Sequence, residues 1–251
     1  MDRKHLVKIV SFITIVALGI GGVWVAQSYS QDPFSEILGK HSFETASERE
    51  EVRTLFDADF PTAKRIITED PSFLPEKYRL KPSEANKMGN PYKVYLLAND
   101  FVDRYQKDHC LASSLNDQYL WEVPILDNLN RIISTSTAWL YNDKWEIAAT
   151  GLNIPPEMVQ FSANNEAIAQ YLATNGLKNL REIKHIRIHR AFMDALYLVS
   201  EDGCEYIVPM SNRPDLVGLE NQKIYPVEQV MKVIAEQFPP VKTKEGFILV
   251  N

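Results

Sequence analysis

The chain has 251 residues, of which 45% are hydrophobic and 24% charged, so it is long enough for one sizeable core or two small domains. This composition excludes an intrinsically disordered protein. The formal net charge of −6 disfavours nucleic acid and anionic lipid headgroups as partners.

An uncharged apolar run covers residues 9–26 and follows the basic residues Arg3, Lys4 and Lys8. As a helix, 18 residues would span roughly 27 Å, close to the hydrocarbon thickness of a bilayer. Residues 1–28 are therefore predicted to be an uncleaved signal-anchor or a cleaved signal peptide. Because the basic end stays in the cytoplasm, we expect a single-pass membrane protein with its C-terminal domain outside, or a secreted protein, typical of a bacterial envelope.

Residues 29–91 are predicted to form a helical, proline-rich stalk or a wrap over the core. The pattern over residues 45–56 favours a helix, with Thr45 and Glu48 as a capping box. Beyond it, five prolines predict short helical pieces and irregular chain. They are Pro61, Pro71, Pro75, Pro82 and Pro91.

Residues 92–251 are predicted to form an α+β domain, as one unit or as two, 92–160 and 161–251. Alternating patterns indicate an antiparallel meander over residues 119–151. Trp139 and Trp145 are expected on one face, which needs a three-residue turn; a two-residue turn at Asn142 and Asp143 would put them on opposite faces. We expect these tryptophans in the core, the alternative being an aromatic platform for sugar.

A helix capped by Asn164 or Asn165 is predicted next, followed by three antiparallel strands that end at Met210. This order resembles, in architecture alone, the small helix-on-sheet units of PepSY-like and cystatin-like exported domains. A last helix begins at Pro226. The predicted fold class is therefore α+β, with an N-terminal transmembrane or signal helix and then one or more antiparallel sheets packed by helices.

Two cysteines, Cys110 and Cys204, fall in the part expected outside the cytoplasm, where oxidation is possible. They are predicted either to form a disulfide bond or to remain separate thiols, because sequence alone does not show whether their Cα atoms approach. Cys110 follows Asp108 and His109, which suggests a thiol nucleophile, although adjacent residues rarely act on one substrate together.

Two polar regions are candidate binding surfaces. His185, Arg187 and His189 alternate along a predicted strand and form either a basic row for an acidic ligand or a solvated face paired with carboxylates. His185 and His189 would lie roughly 13 Å apart, too far to share a metal ion. The second region is the loop after Met210. Its candidate residues are Asn212, Arg213 and Asp215.

The sequence contains no phosphate-binding loop, zinc-ligand spacing or common hydrolase motif, so we expect no cofactor and no metal. The expected function is a membrane-anchored extracytoplasmic binding or interaction protein without catalytic activity, with a protein or peptide partner. The alternative is an exported cell-wall or peptide hydrolase that uses Cys110, with His185 or His189 nearby, or an unrecognised set of carboxylates.

Overall fold

Nine strands form one sheet within residues 33–69 and 85–238, which are the residues that the computed structural model describes. The predicted membrane segment, residues 9–26, lies outside this description. The described ranges contain no helix that is long and apolar enough to cross a bilayer. The strands are β1 (Lys87–Met88), β2 (Tyr92–Leu97), β3 (Leu115–Leu126), β4 (Ile132–Tyr141), β5 (Lys144–Gly151), β6 (Leu180–Ile188), β7 (Met193–Ser200), β8 (Glu205–Ser211) and β9 (Tyr225–Pro226).

The strand order across the sheet is β5-β4-β3-β2-β6-β7-β8-β9, and β1 pairs with the end of β3. Neighbouring strands are antiparallel except β2 and β6, which run parallel. The predicted meander, β3-β4-β5, and the three later strands, β6-β7-β8, therefore lie on either side of β2 in one larger sheet. Both predicted sub-units contribute strands to it.

Helices cover both faces of the sheet, which confirms a mixed α+β fold. They are α1 (Ser35–Gly39), α2 (Arg49–Glu69), α3 (Phe101–Asp108), α4 (Pro156–Ser162), α5 (Asn165–Thr174), α6 (Pro214–Val217) and α7 (Val227–Gln237). On β7, Tyr197 packs in a core with α3 and α7, while Leu196 and Leu198 pack in a core with α1, α4 and α5. We call these two sides the α7 face and the α5 face.

The N-terminal described segment crosses from one face to the other beside the start of β2. Phe34 belongs to the core of the α5 face, and Ser42 then forms a bridge with Tyr92. Phe43 packs edge-on against Trp121 with ring centroids 4.9 Å apart, in the core that α2 covers. Residues 33–69 are therefore integrated into the sheet's packing on both of its sides.

Helix α2 differs from its prediction in start, length and capping. It begins at Arg49 and continues to Glu69 with Pro61 inside it, so the expected break at that proline is wrong. The Thr45 hydroxyl donates to backbone carbonyls, while the Glu48 carboxylate accepts from Tyr119 Oη at 2.8 Å and Trp121 Nε1 at 2.9 Å. A tertiary contact thus replaces the predicted capping box.

The turn between β4 and β5 has two residues, so the prediction that Trp139 and Trp145 share a face is wrong. Tyr141 pairs with Lys144, and both Asn142 (φ 49°) and Asp143 (φ 61°) adopt left-handed backbone, as a type I′ turn requires. Trp145 is buried with Trp121 under α2. Trp139 is 42% exposed on the other face and stacks on Tyr141.

The predicted helix and three strands of the C-terminal half are confirmed. Asn164 caps α5 by accepting from the Ala167 backbone N–H at 3.1 Å. Strands β6, β7 and β8 follow as an antiparallel meander, with both faces of β7 buried. The last helix, α7, follows Pro226 directly.

Candidate functional site

A cavity of about 730 Å³ lies beside the start of β2, among residues 38–44, the end of β3, β6 and the junction of α4 and α5. Gly89 lets one wall approach β3: its N–H donates to the Pro124 carbonyl at 2.8 Å, and a Cβ there would lie 3.1 Å from Leu126. Ligand sites in proteins typically measure about 300–1,000 Å³. The cavity is therefore large enough to be a binding site.

Three buried charged residues from β3, β6 and β7 interact with one another near the cavity, although none of them lines it. The Arg187 guanidinium makes a bidentate ion pair with Asp194, with both N–O distances 2.7 Å, and a further ion pair with Glu122. All three residues are at most 7% exposed. Burial alone would lower the pKa of Arg187, but Asp194 and Glu122 hold it well above its ordinary value. We call these residues the floor triad.

Three buried polar atoms around the floor triad have no hydrogen-bond partner among the described residues: Tyr92 Oη, Glu122 Oε1 and His185 Nδ1. Tyr92 and His185 line the cavity, and their rings lie 5.4 Å apart. Tyr92 is also the cross-strand partner of Glu122. Because unpaired buried polar groups are costly, three of them so close together make this part of the sheet unusual.

Burial favours the uncharged forms of two histidines and a tyrosine that line the cavity. It lowers the pKa of His185 to about 4, and His41 adds to the effect while Asp194 opposes it. Burial and the charges of Lys184 and Lys93 likewise lower the pKa of His41 to about 4. Burial, Glu122 and Asp194 raise the pKa of Tyr92 well above its ordinary value. At neutral pH the histidines and the phenol are therefore uncharged.

The structure separates the predicted basic row. Arg187 is buried with two carboxylates, and the ring nitrogen Nδ1 of His185 is buried, so neither residue forms a solvated face. His189 lies beyond the end of β6 in a short 3₁₀ turn and is exposed. Only two of the three residues therefore belong to the candidate site.

The predicted loop residues lie away from the cavity, after β8. Asn212 donates through Nδ2 to the Leu152 carbonyl at 3.5 Å, and the Arg213 backbone N–H donates to Ser211 Oγ at 3.0 Å. Asp215 lies in the first turn of α6. None of the three lines the cavity.

Cys110 and Cys204 are free thiols, so the structure does not contain the predicted disulfide bond. Cys110 Sγ lies 3.5 Å from Glu205 Oε1, and the same carboxylate accepts from the backbone N–H groups of Leu111 and Ala112. Cys204 is exposed. Its thiol lies near Tyr206, the residue after Glu205, and burial of the Tyr206 hydroxyl together with this thiol raises the pKa of Tyr206. Consecutive residues of extended chain point to opposite sides, which separates Cys204 from the side that faces Cys110.

The predicted thiol–histidine arrangement is likewise not formed in the part of the chain that the structure describes. Cys110 makes its side-chain hydrogen bond with Glu205, and none with His185 or His189. Over the same residues, no group of three His, Cys, Asp or Glu side chains is placed to hold a metal ion.

Sequence reasoning missed Tyr92, Glu122 and Asp194 as site residues. A signal was present for the two acids, because each interrupts an apolar strand: Glu122 lies between Trp121 and Val123, and Asp194 between Met193 and Ala195. A charged residue in a buried strand normally needs a partner of opposite charge. Tyr92 carried no comparable signal, since tyrosine is common in strands.

Comparison of the chain with protein-family models, with curated proteins and with solved structures found no match. The cavity and its floor triad therefore provide the basis for a functional assignment.

Proposed function

We propose that this protein is a membrane-anchored extracytoplasmic binding protein whose cavity holds a peptide segment of its partner. The observation that carries the proposal is the cavity of about 730 Å³, whose lining combines apolar residues with polar ones, including Tyr92 and His185. The apolar run at residues 9–26 supports the membrane location.

The lining of the cavity supports a peptide as the ligand. It combines apolar groups with five side-chain amides, each of which carries both donors and acceptors. A peptide backbone offers the complementary N–H and C=O groups at every residue. The amide residues are Asn90, Asn130, Gln160, Asn164 and Asn165.

The proposal is tested with a random peptide library presented to the full-length protein, followed by calorimetry of the selected peptides. Gln160→Trp should block binding, because Gln160 is exposed on α4 and lines the cavity. Gln170→Trp is the matched control, since Gln170 is an exposed helical glutamine on α5 that does not line it. Equal binding by both variants, or no selected peptide at all, would refute the proposed site.

The alternative function, an exported peptide or cell-wall hydrolase, is favoured by one observation. Glu122 and Asp194 are two carboxylates beside the cavity, and Glu122 Oε1 is unpartnered among the described residues. Against this reading, Arg187 binds both carboxylates. Mass spectrometry of the selected peptides after incubation separates the two functions: cleaved peptides support a hydrolase, and intact peptides support binding alone.

A further inference from the structure

We infer that the turn between β6 and β7, together with Arg213 of the neighbouring loop, binds an acidic segment of a protein partner. The turn covers residues 189–192, and we call its exposed residues His189 and Phe192, with the exposed Arg213, the turn surface. None of the three lines the cavity, so this surface is additional to the proposed function and does not depend on it. The inference follows from the contacts that bring these residues together, from their exposure and from their charge.

The Ser211 hydroxyl joins the two parts of the turn surface. Its Oγ donates to the Phe192 carbonyl at 3.3 Å and accepts from the Arg213 backbone N–H at 3.0 Å. Asn221 holds Ser211 in place, accepting from its N–H and donating to its carbonyl, both at 2.8 Å. The His189 carbonyl accepts from the Phe192 N–H at 3.0 Å. Two regions that the sequence suggested separately as binding surfaces therefore meet at one end of the sheet.

Phe192 is a large apolar residue that the fold holds on the outside. It is 59% exposed and has left-handed backbone, with φ 49° and ψ 44°. At the end of a helical turn this conformation normally belongs to glycine or asparagine, because a larger side chain is unfavourable there. Residues in such conformations persist only where the surrounding contacts enforce them, and they cluster at functional sites. The exposed ring is therefore suited to be an apolar anchor for a partner.

The turn surface carries positive charge in a protein whose net charge is −6. Arg213 is exposed, and Arg190, within the turn, is half-buried with Nη2 3.5 Å from the Asn99 carbonyl. Neither arginine forms an ion pair among the described residues. Their charges are therefore left to attract an acidic partner, with Arg213 in reach of direct contact.

The acids closest in the chain to these contacts do not neutralise the arginines. Asp100 follows Asn99 and is bound to Arg104, with Oδ1 2.8 Å from Nε. Asp215 lies two residues after Arg213 and forms no ion pair with it. A guanidinium group binds a carboxylate through two parallel hydrogen bonds, a geometry that favours acidic side chains over neutral ones. The charge of the turn surface thus matches a segment that combines carboxylates with apolar side chains.

The first experiment compares three pentapeptides on the full-length protein by calorimetry. Acetyl-Glu-Leu-Glu-Leu-Glu-amide should bind about tenfold more tightly than acetyl-Gln-Leu-Gln-Leu-Gln-amide, the order expected for hydrogen bonds between charged groups. Acetyl-Lys-Leu-Lys-Leu-Lys-amide should bind no better than the glutamine peptide, and added salt should reduce the preference for the acidic one. Equal binding of all three peptides, or tighter binding of the lysine peptide, would overturn the inference.

Arg213→Gln tests whether this preference comes from the turn surface. The variant should lose most of the preference for the glutamate peptide over the glutamine peptide. Arg181→Gln is the matched control, because Arg181 is an exposed arginine at the other end of β6, and it should leave the preference unchanged. An Arg213→Gln protein that keeps the full preference would contradict the inference.

Phe192→Asn removes the ring but keeps a residue type that tolerates left-handed backbone, so the variant should fold, as circular dichroism can verify. It should bind the glutamate peptide about tenfold more weakly, because the apolar anchor is lost. Tyr141→Asn, at an exposed tyrosine on β4, is the matched control and should bind as the native protein does. Native affinity in Phe192→Asn would contradict a role for the ring.

Gln160→Trp, which fills the cavity, separates the turn surface from the proposed cavity site. The glutamate peptide should keep its affinity in this variant. Loss of its binding would place the peptide in the cavity, which would overturn the inference and leave the proposed function intact. Binding of the glutamate peptide at Arg213, without any library peptide that Gln160→Trp blocks, would refute the proposed function and leave the inference intact.

Discussion

Arg187 is the residue on which the buried charges of the sheet depend. Its removal would leave Glu122 and Asp194 as two buried carboxylates without a cation. We predict that Arg187→Met lowers the free energy of unfolding by about 3–5 kcal/mol, the usual cost of removing one partner from a buried ion pair. Urea unfolding monitored by circular dichroism measures the change.

The matched control for this prediction is Arg181→Met. Arg181 lies on the same strand, β6, but its side chain is exposed. Exposed substitutions usually change stability by about 0.5 kcal/mol or less. Similar losses for Arg181→Met and Arg187→Met would show that the floor triad does not stabilise the fold.

His185 gives the fold a predicted dependence on pH. Its pKa is about 4 in the folded protein against 6.5 when unperturbed, so below pH 6.5 the unfolded chain binds the proton more tightly. Stability should be complete above pH 6.5 and fall as the pH decreases towards 4, by up to about 3 kcal/mol from this residue. The groups that bear on it are Asp194, which opposes the shift, His41, which adds to it, and the Tyr92 ring.

Urea unfolding at pH 7 and at pH 5 tests this dependence in the native protein and in His185→Gln. The variant should lose part of the difference between the two pH values and keep the part due to His41, whose pKa is also about 4. An unchanged difference in His185→Gln would contradict a buried, neutral His185.

At the scale of elements, sequence patterns predicted best where contacts are local. The β7–β8 hairpin forms around Asp202-Gly203, but the register expected from a two-residue turn there is wrong by one residue. Such a turn would put Val199 opposite Tyr206, whereas Val199 lies opposite Glu205 and Leu198 opposite Tyr206. Helix α2 was predicted too short, because Pro61 normally breaks a helix and only the packing of Ala63 and Ile67 into the core supports its continuation.

The floor triad could not be derived from sequence because it depends on strand order. Glu122 comes from β3, whereas Arg187 and Asp194 come from β6 and β7. Alternation predicts which side of a strand a residue takes, but not that β2 pairs in parallel with β6 and thereby joins the two meanders. The cavity depends on the same long-range pairing.

The two-residue β4–β5 turn leads to a prediction about its tryptophans. Trp145 is 8% exposed under α2 and Trp139 is 42% exposed. Trp145→Ala should therefore lower the free energy of unfolding by about 3–5 kcal/mol, and Trp139→Ala by about 0.5 kcal/mol or less. Urea unfolding measures both. Comparable losses would mean that the three-residue turn, with both tryptophans in the core, is the correct one.

At the scale of the whole molecule, the parallel pairing of β2 with β6 makes one sheet from the two halves of the domain. The α7 face and the α5 face both bury apolar side chains of β7, so neither set of helices can be removed without exposing the sheet. The cavity uses β2, β3 and β6, as well as the segment that crosses beside Tyr92. We therefore expect ligand binding to require the domain as a unit rather than either half.

The proposed location of this domain leads to a prediction about the leader. Alkaline phosphatase is active only outside the cytoplasm, so a fusion after Asn251 should be active in a bacterial host if residues 9–26 direct export. Ile15→Lys combined with Leu18→Lys should abolish that activity, because two lysines at the centre of a membrane helix cost about 5–7 kcal/mol. The matched control, Ile15→Leu with Leu18→Ile, keeps the run apolar and should remain active. An inactive fusion with the native leader would contradict both the extracytoplasmic location and a partner on that side of the membrane.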